Sequence, residues 1–216
     1  MATINSDGSL NGKHGNSVYY KRNGKNIVRA YVPHKKSNTT NQLKQQAKLR
    51  SVMECLKKFR KVINLGYQGA SEPLTPMNEA ISWHLLHATT EITQPLGNVP
   101  IFNILPEKLK LSRGNIEPPD IISITRTNNS ITLVWKNALG EVPNRLYDNM
   151  VLTAYLPSDK VYFDVHVGER KTGTGIAILP NELSAQVHLW VFYLNVQKKV
   201  IPSKENVSDS VYLGVI

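Results

Sequence analysis

The chain holds one cysteine, Cys55, among 216 residues. A single thiol excludes an intramolecular disulfide framework and a cysteine-built metal cluster. No apolar run reaches the roughly 18 residues that a membrane-spanning helix needs, so no membrane partner is expected. The Met1–Gly8 stretch has neither a basic n-region nor an apolar h-region. The sequence therefore predicts no secretory signal, and a protein made and folded in a reducing cytoplasm or leaving it by a route that needs no signal peptide. Neither G-x-S-x-G nor H-E-x-x-H occurs, and Cys55 falls beside an apolar helical stripe, as a core residue would. Lys171-Thr172-Gly173-Thr174-Gly175 lacks the residue order of a phosphate loop and runs into a strand pattern. No catalysis and no cofactor are expected.

Acidic residues are scarce where basic ones crowd. Residues 1–70 carry fourteen Lys and Arg against only Asp7 and Glu54, a net charge of +12, whereas residues 71–216 are slightly acidic at −2. Charge segregated in this way points to an anionic partner for the first third, either nucleic acid or the acidic face of another protein. The candidate contacts are Lys13, Lys21, Arg22, Lys25, Arg29, Lys35, Lys36, Lys44 and Lys48. Tyr19, Tyr20 and Tyr31 are interleaved with them, a mixture that suits phosphate contacts and base stacking. Helix-turn-helix, RNP1 and zinc-finger patterns are all missing.

The elements follow from periodicity. Residues 8–32 read as a β-hairpin or short meander, because Asn23-Gly24 separates two β-prone runs and suits a tight turn. Residues 38–66 read as one long helix with caps at Asn38, Thr39 or Thr40 and a stop at Gly66. Leu49, Val52, Leu56, Phe59 and Ile63 form its apolar stripe. A second helix is expected over 76–92, capped by Thr75, started by Pro76 and striped by Ile81, Leu85, Ala88 and Ile92. Together they make an αα-hairpin. On that helix His84, His87 and Glu91 share one face, the only metal-like grouping, which reads as a polar helix face with no metal assigned.

An extended piece is expected at 108–114, and Pro118-Pro119 marks the boundary between a region 1–117 and a domain 118–216. Beyond it, seven β-runs separated by turn-forming clusters predict an all-β sandwich. The fold class is thus α+β: a basic hairpin and two helices, then the sandwich.

Pro118-Pro119 followed by Ile131-Thr132-Leu133-Val134-Trp135 resembles the opening strands of fibronectin type III domains, which implies an immunoglobulin-like sandwich with Trp135 in its core. Gly12-Lys13-x-Gly15, Gly24-Lys25-x-x-Val28-Arg29, the Gln42…Gln45…Arg50 helix, Leu111-Ser112-x-Gly114 and Ser210-Val211-Tyr212-Leu213-Gly214 resemble an uncharacterised protein family of Bacteroidota and their phages. By analogy, basic regions joined to such sandwiches occur among phage structural proteins. These resemblances imply a structural component of a phage particle or similar assembly, contacting other subunits, further copies of itself, or DNA. A sequence-nonspecific nucleic-acid-binding protein of the cytoplasm is the alternative.

Overall fold

A computed structural model describes residues 3–4, 8–22, 24–33, 39–69, 74–92, 101–136, 145–156, 160–180, 186–195 and 203–216. Three α-helices and thirteen strands lie among them, with every strand pair antiparallel. The chain divides into two compact units, Met1–Gln42 and Leu43–Ile216.

The first unit is a four-stranded meander: β1 (Thr3–Ile4), β2 (Leu10–His14), β3 (Ser17–Arg22) and β4 (Lys25–Ala30), in that order. Arg22 pairs with Lys25, which leaves the two-residue connection that Asn-Gly favours. Gly24 takes φ +75° there, and Asn23 lies outside the described residues.

Helices follow, the first of them starting in the last residues of the first unit. Thr39 and Gln42 form a reciprocal capping box: the Gln42 N–H donates to Thr39 Oγ1 (3.3 Å), and the Thr39 N–H donates to Gln42 Oε1 (2.9 Å). The helix it starts breaks into α1 (Thr40–Lys58) and α2 (Arg60–Gly66) at Phe59, whose φ/ψ of −93°/12° lies in the bridge region. The break is tightened by an i→i−3 bond from the Phe59 N–H to Leu56 O. Val52, Leu56, Phe59, Val62 and Ile63 are buried, while Leu49, the first residue of the expected stripe, is exposed.

Gly66 does not stop the helix by a left-handed turn. A Cβ there would stand 2.3 Å from Leu111 O, so glycine is required for close backbone approach.

The next helix is shorter than its periodicity suggests. α3 (Pro76–His87) has Thr75 as its cap, accepting from the Asn78 N–H, and ends at Ala88. The β-branched run that follows forms β5 (Thr89–Ile92), paired with β6 (Ile101–Ile104). The most buried line of α3 is Ala80, His84 and its C-cap Ala88, with Ile81 and Leu85 at the flanks.

Residues 108–114 form no ladder strand, yet Leu109 and Leu111 are buried in the helical core and Ile116 in the next one. This connection is fastened by the chain's last segment. Leu111 N–H donates to Ser210 Oγ, Ser112 Oγ to Ser208 O, and Ile116 N–H to Val207 O.

Each of the seven expected β-runs falls on a strand, with Leu179 and Val187 one residue outside theirs. One sheet has the order β11 (Thr174–Ile178), β8 (Ser130–Trp135), β7 (Ile121–Thr127). The other has the order β10 (Val161–Glu169), β9 (Asn149–Tyr155), β12 (His188–Leu194), β13 (Val211–Val215). Met150, Leu152, Leu189, Val191 and Tyr193 face the first sheet and meet Ile131, Leu133 and Trp135. The alternate residues Val151, Trp190, Phe192 and Leu194 belong to the core formed with α1, α2 and α3. The helices therefore cover the second face of the β9/β12 sheet, and the layers run helices, sheet, sheet. Segments on both sides of the expected 117/118 boundary contribute to this helical core, and the division into compact units falls between Gln42 and Leu43.

Helix propensity alone would make Gly66→Ala stabilising by about 1 kcal/mol. The close approach to Leu111 reverses that sign: the variant is expected to lose about 2–3 kcal/mol in urea unfolding. A gain in stability would show that the backbone contact is not limiting.

Candidate anion-binding face

Strand register sorts the basic residues of the first unit into two sets. Residues directly opposed in an antiparallel pair share a face. Lys13 opposes Val18, Val18 opposes Arg29, Tyr20 opposes Ile27, and Arg22 opposes Lys25. Lys13, Arg22, Lys25 and Arg29 therefore lie on one face with Tyr20. Lys21, opposite Asn26, falls on the other, with Tyr19 and Val28. Two of the cations sit over rings: Lys13 Nζ lies 3.5 Å from the Tyr31 centroid, and the Arg29 guanidinium lies 5.8 Å from that of Tyr20.

This face carries an electrostatic cost. Like charges directly opposite each other destabilise a strand pair, and Arg22 faces Lys25. Residues 8–33 contain no Asp or Glu to offset them. The unit also lacks a dry interior: Ser9 is its only buried residue among those described.

The remaining candidates are distributed differently. Lys35 and Lys36 lie outside the described residues. Lys44 and Lys48 stand on α1 in the second unit, where Lys44 Nζ pairs with Glu91 at 2.5 Å. Register separates Lys21 from the four-cation face, and alternation along β3 is the signal that finds this in the sequence.

The helical face of His84, His87 and Glu91 does not form, because the helix ends at His87 and Glu91 sits on β5. His84 is fully buried and uses both ring nitrogens. Nδ1 lies 2.7 Å from Ala80 O, and Nε2 accepts from the Lys110 N–H at 3.2 Å. Those partners fix the neutral tautomer with hydrogen on Nδ1. Burial pushes its pKa down to about 4, partly countered by the bond to Ala80. No group of three potential metal ligands occurs among the described residues. Burial likewise pushes the Cys55 thiol up to about 11, which suppresses the reactive thiolate.

Asp148 is a further buried ionisable group outside the basic face. Its carboxylate is fully buried, accepts no hydrogen bond from the described residues, and lies 4.0 Å from Arg145. Burial raises its pKa to about 6 against the opposing pull of Arg145 and Arg170.

No protein-family model matches the chain. No curated protein and no solved structure matches it either.

The two buried groups oppose each other in pH dependence. His84 stays neutral in the fold but takes a proton at pH 6.5 when unfolded, so its contribution is lost as pH falls from 6.5 towards 4. Asp148 keeps its proton to about pH 6 in the fold, so its contribution is lost as pH rises from 3.8 to 6. Each effect is worth about 3 kcal/mol. Urea midpoints should therefore rise with pH across this window in Asp148→Asn and fall in His84→Gln. Parallel profiles for the two variants would refute the assignment.

Proposed function

We propose that this chain is a non-enzymatic structural protein of a phage particle or similar multi-subunit assembly, whose N-terminal sheet lays its basic face on DNA or an acidic neighbour. The observation that carries this reading is the face of Lys13, Arg22, Lys25 and Arg29. It concentrates charge at a cost to its own sheet and offers Tyr20 for stacking. A sheet with so little buried surface also gains from being covered in an assembly.

The second unit suits a docking or spacing role. Its strand order supports a fibronectin type III-like sandwich, since β10 pairs with β9 in the sheet of β12 and β13, while β7, β8 and β11 form the other. Trp135 stands in its core, and the Trp135 Nε1–H donates to Arg170 O. Membership of the Bacteroidota and phage family belongs to the same proposal. Its segments around Ser112 and Ser210 meet in space: the Ser210 N–H donates to Ser112 O.

The same face supports a second reading, a cytoplasmic protein that binds nucleic acid without sequence preference. Arg and Lys paired with tyrosines, and no base-reading helix pattern, favour it.

Binding to a labelled oligonucleotide tests the face. Four phosphate contacts give a slope of log affinity against log salt of about −3 to −4. An Arg22→Gln/Arg29→Gln variant should lower the magnitude of that slope by about 1.5–2, while Lys21→Gln on the opposite face should change it by less than about 0.5. Salt-insensitive binding, or equal effects from the two faces, would overturn the proposal. Light scattering separates the two readings: a persistent monomer without acidic protein partners favours the nucleic-acid binder.

A further inference from the structure

The second unit carries an open groove of about 570 Å³ between α1 and α3. Leu49, Met53, Met77 and Ile81 supply its apolar lining, with Leu49 39% and Met53 51% exposed. Exposing two adjacent large apolar side chains on a helix is unfavourable unless something covers them. Two methionines in such a lining adapt readily to a partner's side chains.

Charge narrows the choice of partner. Arg50, Lys57 and Arg60 also line the groove, against one acidic residue, Glu54. Arg50, Met53, Lys57 and Arg60 follow one another at intervals of three, four and three, so they run along one side of the helical segment. Elsewhere in this unit Lys44, Lys110 and Lys204 are paired with carboxylates. None of Arg50, Lys57 and Arg60 has an ion-pair partner among the described residues. We infer that this groove docks an acidic amphipathic helix of a partner protein, with its apolar stripe on Leu49, Met53, Met77 and Ile81 and its carboxylates on the three cations.

The shape agrees with that occupant. From Gln46 to Arg60 the groove runs about 20 Å along α1 to the start of α2, the length of a four-turn helix. A helix laid between two helices presents anchors at intervals of three and four, matching Leu49/Met53 and Met77/Ile81. The chain's own first 42 residues are a poor fit, because they hold seven basic residues and only Asp7 as an acid. A symmetric pairing of two copies through the groove would set cation against cation. This inference does not depend on the basic face of the first unit.

The probe is a fluorescein-labelled helical peptide of about 18 residues with leucine at heptad a and d positions, alanine as filler and glutamate at the flanks, titrated into the full chain. A second peptide carries lysine in place of each glutamate. The acidic peptide should bind about tenfold or more tightly than the basic one, with affinity falling as salt rises. Arg50→Gln/Lys57→Gln and the single variant Met53→Gln should each weaken it about tenfold, whereas Lys136→Gln, at an exposed cation outside the groove and outside the basic face, should leave it unchanged. Circular dichroism checks that each variant keeps its fold, and the exposed positions chosen make loss of folding distinguishable from loss of docking. Equal affinity for both peptides, no saturable binding, or loss only in the Lys136→Gln variant would overturn the inference. So would a dimer of the chain that Met53→Gln dissociates, since that would seat a second copy in the groove.

Discussion

Strands β9 and β12 are buried on both faces, and the second unit is organised around that constraint. A strand between two sheets usually alternates between core and solvent. Here five successive residues of β9, Met150 to Ala154, and six of β12, Leu189 to Leu194, are buried. Alternate side chains simply enter different cores. Trp190 and Phe192 need the helices above them as much as Leu189 and Val191 need the second sheet below. The edge ring contacts at the helix break show how close this is: Phe59 meets Trp190 at 5.7 Å and Tyr155 at 5.4 Å. The layer carries a polar cost as well. Thr153 Oγ1 and Trp190 Nε1, on directly opposed residues, are buried without hydrogen-bond partners among the described residues. An unmet buried group costs about 1–3 kcal/mol, so packing around them must more than offset it.

The first unit is built on the opposite principle. It has strand pairing and ring–cation contacts but almost no buried side chains among its described residues, and it concentrates cations where a purely structural sheet would intersperse both signs. Local rules are broken most often where a surface has work beyond folding. The second unit pairs several of its own lysines with carboxylates, yet leaves three cations beside an apolar groove. Both features support the proposal that anionic partners are met at separate sites.

Much of this was legible in the residues, for reasons that differ by element. The Thr75-Pro76 start and the Thr39 cap are local chemistry, so they could be read directly. The seven β-runs were visible because β-branched and aromatic residues cluster in them. Helix 76–92 was overextended because Ile92 continues the helical period, while Thr89-Thr90 favour a strand with a partner more than ten residues away. That partner is invisible to a local pattern. His84 looked like part of a polar face because histidine's type says nothing of which nitrogen meets a carbonyl and which a backbone N–H. Composition groups the tyrosines and cations of the first unit together, whereas the Arg22–Lys25 register separates Lys21 and Tyr19 from the rest. A sandwich alone was expected beyond residue 118; the helices on its outer face follow from long-range packing that composition does not encode.

Two-sided burial makes a direct demand on cooperativity. If β9 and β12 depend on both cores, the helices cannot open while the sheets stay protected. Native-state hydrogen exchange of the full chain reads this at single amides. Ile63 in α2, Val151 in β9 and Val191 in β12 are expected to exchange with opening free energies within about 1 kcal/mol of one another. Exchange at Ile63 several kcal/mol below Val151 and Val191 would contradict the account, because the sandwich would then stand without its helical layer.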